Sequence, residues 1–217
     1  MSLSTKKAPI VLLLILALWA CEEQTSPPKI SVETVRAPLR PSDTLGLDTA
    51  LRISAPAALD TMSVSLRRRY WSYLQDGFEA LREEDFEAAI QAYDSALGIL
   101  PTAVGYFNKG YALKKRNKFP QAIESFGKAL AYDSTYVDAY YNRGLAQEGL
   151  KQWEKALDDY GAALRYNPEY SAAWLRRGDV WMQIRPPRPD SACAAWQQAA
   201  RLAHPQAGSR LKSQGCR

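Results

Sequence analysis

The chain has 217 residues, with 28 Lys and Arg against 23 Asp and Glu, a formal charge of +5, one histidine and three cysteines. A single histidine excludes a multi-histidine metal site within one chain, and any catalytic triad would have to use that residue, His204, near the end of the sequence. The modest excess of base, with no basic surface interleaved with aromatics, gives no reason to expect a nucleic-acid partner.

The chain opens with Lys6 and Lys7, then an unbroken apolar run over Ile10–Leu18, then Ala20 and Cys21. Basic, apolar and small residues in that order read as an export signal, and the run is shorter than the roughly 20 apolar residues that a spanning helix needs. Leu18-Trp19-Ala20-Cys21 resembles the lipobox of bacterial lipoproteins, with Trp19 where a small residue is usual. The resemblance implies a signal peptide over 1–20 and a diacylglycerol on the Cys21 sulfur, a palmitate-type anchor that holds the mature chain by hydrocarbon burial. An ordinary cleaved signal with a chance cysteine is the alternative. Glu22, in place of an aspartate after the cysteine, favours the outer membrane of a bacterial envelope.

Residues 21–62 read as the lipidated cysteine and a tether. The segment holds Pro27, Pro28, Pro38, Pro41 and Pro56 among many Ser and Thr and has no aromatic residue. It has too little apolar surface to offset the cost of ordering. A short packed stretch near Leu45–Leu51 is the alternative, and helix is expected from Ser63 or Ser65.

A repeat follows. Gly110, Gly144 and Gly178 stand 34 residues apart, and the frame reaches back 33 residues to Gly77. Four before each glycine is an aromatic: Tyr73, Tyr106, Tyr140 and Trp174. Twelve, sixteen and nineteen after it come Ala122, Phe126 and Ala129, and again Ala156, Tyr160 and Ala163, with Ala89, Tyr93 and Ala96 in the first unit. Such a period means stacked supersecondary units. Tyr106–Lys115 and Phe119–Ala131 both carry helical apolar spacing, and only Asn117 and Lys118 stand between them, so the two helices are antiparallel neighbours. Pro120 suits the first turn of a helix. Pro101 and Asn167-Pro168 mark the ends of second helices.

This pattern resembles the tetratricopeptide repeat (TPR), a helix–turn–helix of about 34 residues. The resemblance implies an all-α, right-handed α-solenoid over 63–205, with units at about 70–102, 103–136, 137–170 and 171–205, and a capping helix or tail over 206–217. The fourth unit diverges: Pro186, Pro187 and Pro189 fall in its loop, and Ala192, Trp196 and Ala199 fit only with two residues inserted. The leucine usual before the glycine is replaced by Asp76, Lys109, Arg143 and Arg177, and Ser134 stands for a proline.

With Cys21 assigned to lipid, Cys193 and Cys216 remain as an even pair. In an oxidising compartment they form a disulfide that pins the capping helix; two free thiols, with Cys193 a small core residue, are the alternative.

Little catalytic chemistry is on offer. The glycines do not cluster into a phosphate loop, Glu83-Glu84-Asp85 reads as the charged start of a helix, and the adjacent Asp158 and Asp159 diverge on a helix. The expectation is a non-enzyme without cofactor or metal. In the TPR family the first helix of each unit lines a concave groove, which implies a polar ladder of Gln75, Asn108, Asn142 and Arg176, two before each glycine. Leu74, Phe107, Tyr141 and Leu175 flank it on one side, Phe78, Tyr111, Leu145 and Asp179 on the other, and Lys114 and Lys115 add charge. The binding set is therefore Gln75, Phe107, Asn108, Tyr111, Lys114, Tyr141, Asn142 and Arg176, with Arg176 poised to pair with a carboxylate. Some TPR co-chaperones grip a C-terminal carboxylate with a lysine–asparagine clamp. Those places hold Phe107 or Leu74 and Tyr111 or Phe78 here, so that clamp is not expected. The functional expectation is an envelope lipoprotein that binds a protein or peptide and scaffolds a membrane-associated assembly. A glycan- or small-ligand-binding lipoprotein using the same Tyr- and Asn-lined groove is the alternative.

Overall fold

A computed structural model describes residues 61–216. The signal segment, Cys21 and most of the tether lie outside the described residues. Among those described, every regular element is a helix: α1 (Val64–Arg82), α2 (Phe86–Ile99), α3 (Ala103–Lys115), α4 (Phe119–Tyr132), α5 (Val137–Gly149), α6 (Trp153–Tyr166), α7 (Ser171–Trp181), α8 (Pro189–Arg201) and α9 (Ala207–Ser213). None of them is long and apolar enough to cross a membrane. The fold is an all-α helical repeat.

Side chains cap the starts of α1, α2 and α3. Ser63 Oγ accepts from Leu66 N, Asp85 Oδ1 from Ala88 N at 3.0 Å and Thr102 Oγ1 from Gly105 N at 3.1 Å, each satisfying an amide the helix leaves orphaned. Pro120 occupies the first turn of α4, where no donor is needed. The acidic Glu83-Glu84-Asp85 run thus supplies a turn and a cap.

Helix ends alternate between two devices. The first helix of each of the first three pairs stops at a residue with positive φ: Glu84 (60°), Asn117 (57°) and Lys151 (57°). There the amide of that residue and of the next reach back into the last turn, as in Asn117 N to Lys114 O at 2.9 Å and Lys118 N to Leu113 O at 2.9 Å. The chain reverses within three residues, so paired helices lie side by side. Second helices instead run into extended backbone at Leu100, Asp133 and Asn167. Asp133 and Asn167 fold the following turn with their own side chains, accepting from Thr135 N and Glu169 N. Asp133 thus makes the turn where Ser134 replaces the proline.

Packing follows the glycine register. An added Cβ at Gly77 would come within 2.7 Å of the Tyr93 ring, at Gly110 within 2.9 Å of Phe126 and at Gly144 within 2.7 Å of Tyr160. Gly178 meets Trp196 in the same way, so the inserted residues of the proline-bearing loop leave this contact intact. Tyr93, Phe126, Tyr160 and Trp196 are buried, each worth on the order of 2 kcal/mol. Ala89, Ala122, Ala156 and Ala192 are fully buried beside them. The core is therefore a succession of local clusters along the array, as expected where each unit packs only on its neighbours.

The last cluster is closed by α9. Ala207 and Leu211 pack with Leu175 and Trp196, and Cys193 and Cys216 are disulfide-bonded with their Cα atoms 5.6 Å apart.

Candidate functional site

The first helices α1, α3, α5 and α7 share one face, and side chains reach between them by a regular rule. The residue four after one glycine meets the residue two before the next. Lys114 Nζ donates to Asn142 Oδ1 at 2.6 Å, and Arg176 Nε donates to Glu148 Oε1 at 3.0 Å. In the first unit the corresponding residues are Leu81 and Asn108, where an aliphatic chain offers no such bond.

This rule seals the ladder toward its C-terminal end. Asn142 is buried and also donates to Asp138 O at 2.9 Å, so both ends of its amide are occupied. The Arg176 fork grips Glu148 and lies 3.5 Å from Asp179. Glu148 also accepts from Tyr160 Oη. Burial, followed by the Glu148 charge, pushes the Tyr160 hydroxyl well above its ordinary range, so it stays a donor. Burial disfavours the Arg176 charge, yet Glu148 raises its pKa overall. Asp179 accepts from Trp196 Nε1 at 3.2 Å and from Arg210 Nε at 2.9 Å, which ties α9 to α7. Asp138 accepts from Tyr170 Oη at 2.9 Å.

Phe107 corrects the expected groove. It is 2% exposed, with its ring 5.8 Å from Phe126 and 4.9 Å from Tyr136, so it belongs to the core between the second and third units. Leu74 and Leu175 are buried at the same register. An apolar side chain at this place in every unit is the sequence signal that would have found it. Arg176 is likewise corrected: its fork is turned on Glu148 instead of standing free for a ligand carboxylate. Nothing local in the sequence marks Glu148, whose partner Arg176 stands on another helix.

The other expected residues lie on the more open part of the face. Gln75 is exposed and donates to Glu79 within α1. Asn108 and Tyr111 are half-buried. Tyr141 is half-buried, its ring 5.0 Å from Tyr170 and 5.7 Å from Tyr160. Lys114 Nζ stands 4.7 Å and Lys115 Nζ 5.6 Å from the Tyr111 ring centre. Burial, helped by Lys115, pulls the Lys114 ammonium down to about 8.

Among the described residues no group of three or more His, Cys, Asp or Glu is placed to hold a metal ion. His204 sits at the end of α8, where Nδ1 accepts from Gln206 N.

A TPR repeat model matches residues 110–151, and a tetratricopeptide repeat model matches residues 137–170. Residues 110–170 carry tetratricopeptide repeats. Solved TPR structures share the fold. The crystal structure of MamA superposes with a TM-score of 0.59 at 21% identity, over 64% of this chain and 81% of that one. The Arabidopsis OM64 TPR domain gives 0.53 at 25% identity, over 55% and 99%. The first TPR of Spaghetti (RPAP3), bound to the HSP90 peptide SRMEEVD, gives 0.51 at 24% identity, over 52% and 90%. A search among curated proteins returns no significant match.

Proposed function

We propose that this chain is a non-enzymatic envelope lipoprotein whose TPR face binds a protein partner and so scaffolds a membrane-associated assembly. The observation that carries the binding part is the open stretch of the first-helix face. Tyr111 and Asn108 are half-buried and Lys115 exposed on α3, and Gln75 is exposed on α1, aromatic and polar groups not consumed by the core. A TPR bound to a peptide among the structural neighbours agrees with this use of the fold. The envelope part rests on the sequence from Lys6 to Cys21 and agrees with a disulfide at the far end of the chain, a bond suited to an oxidising compartment.

Cross-linking in native cells, wild type against Tyr111→Ala/Lys115→Ala, tests the binding part. Loss of a defined cross-linked protein in the variant supports the reading. The same proteins retained would move the site off this face. Recovery of no protein, with saturable binding to a glycan, would replace it with the ligand-binding alternative. Metabolic labelling with a fatty acid tests the anchor: label present in wild type and absent in Cys21→Ala is the expected result.

A further inference from the structure

Among the described residues, two adjacent ammonium groups crowd one tyrosine on this face without a carboxylate partner. Lys109, Lys118, Lys128, Arg116, Arg143, Arg176 and Arg210 each pair with a carboxylate. Lys114 and Lys115 pair with none. Lys114 is half-buried, and its only hydrogen-bond acceptor is the neutral amide of Asn142, 2.6 Å away. Lys115 lies near the same Tyr111 ring, so two like charges flank one aromatic.

A cation in the last turn of a helix is favoured by the helix dipole, but that benefit is available from solvent. Lys114 instead turns inward, where burial and Lys115 both oppose its charge. An ammonium so placed without a counter-ion is costly, and a carboxylate arriving beside it would relieve the cost.

We propose that Lys114 and Lys115 are a receptor for an acidic side chain inside a bound peptide, with Tyr111 packing against an apolar residue next to it. The proposal rests on the reading of this face as a protein-binding surface and names its ligand. It differs from the lysine–asparagine clamp for a C-terminal carboxylate, whose places here hold Phe107 or Leu74 and Tyr111 or Phe78. A long polyanion does not suit it, because Glu148 and Asp179 interrupt the basic surface toward α5 and α7.

The test is selection of random peptides displayed with blocked C-termini against the full-length chain in detergent. Peptides with Asp or Glu beside an apolar residue are expected. A selected peptide should bind about tenfold more weakly to Lys114→Met and to Lys115→Met, the ordinary effect of losing one charge-assisted contact. Changing its acid to the amide should cost about the same and add nothing further in those variants. Lys115 is exposed, so Lys115→Met and Lys115→Glu keep the fold, and Lys115→Glu should shift selection toward basic peptides. Selected peptides without acidic bias, or with affinity unchanged in Lys115→Met, would overturn this inference and leave peptide binding standing. No enrichment of any peptide would overturn both.

Discussion

The two ends of the first-helix face are built on one scaffold and behave oppositely. Toward α7, acids and bases are matched: Glu148 with Arg176, Asp179 with Arg210, and α9 fixed by a disulfide. At α3 only bases are present. The difference lies in one register position, four after the glycine, occupied in turn by Leu81, Lys114, Glu148 and Met182. Backbone geometry dictates that this residue meets the next unit; its identity dictates whether the junction is closed by an ion pair, as at Glu148, or by a hydrogen bond to a neutral amide, as at Lys114. A repeat array thus separates architecture from recognition, because neighbouring units can exchange charge without disturbing the helices.

The most severe way to break the comparison is to attack what both ends share. Gly144→Val forces a branched side chain into the Tyr160 ring and should cost about 3 kcal/mol by urea unfolding, with Gly110→Val against Phe126 costing about as much. Loss at one site only would mean the ends are not built alike. Next, Cys193→Ser/Cys216→Ser should cost about 3 kcal/mol, the expected effect of opening a cross-link over 23 residues, with faster amide exchange in α9 and none in α1 to α4. Glu148→Gln strips Arg176 and Tyr160 of their charged acceptor and should cost about 2 kcal/mol, whereas Lys115→Met should stay within about 0.5 kcal/mol. Equal losses would erase the contrast.

A subtler probe is pH. The folded chain releases the Lys114 proton near 8, below the 10.5 of an exposed lysine, so the unfolded chain holds more protons in between. Stability should therefore rise from pH 8 toward 10, and the rise should vanish in Lys114→Met. Above pH 10 the sign reverses. Burial raises the pKa of Tyr93, Tyr136 and Tyr170, so those hydroxyls stay protonated in the fold while unfolded tyrosines ionise. The smallest effect expected is a gain of about 0.5 kcal/mol from Lys151→Gly, which relieves a side chain held at φ 57°.

Much of the fold was legible because its signals are local or periodic. The glycine and its aromatic partner repeat in register, Pro120 and Asn117 sit where helices start and stop, and Tyr106–Lys115 reads as a helix that the structure extends only to Ala103. The face was less legible. Position relative to the glycine tells which side of a helix a residue occupies, not what stands opposite. Asn142 and Arg176 look free in sequence because their partners, Lys114 and Glu148, lie 28 residues earlier on another helix. Phe107 looks like a groove residue until Tyr136, at the N-cap of α5, covers it.

The disulfide gives the array a direction. Units that lean only on their neighbours come apart from an end, and here the C-terminal end is covalently shut while α1 begins with Val64 and Leu66 exposed. Among the described residues, the α1 end offers a protease an easier start than the cross-linked α9 end. Digestion would then run from α1 toward the cross-linked α8 and α9. The amount of working protein in a cell would then follow how often α1 lifts away, and a bound partner would lengthen its lifetime as well as use it.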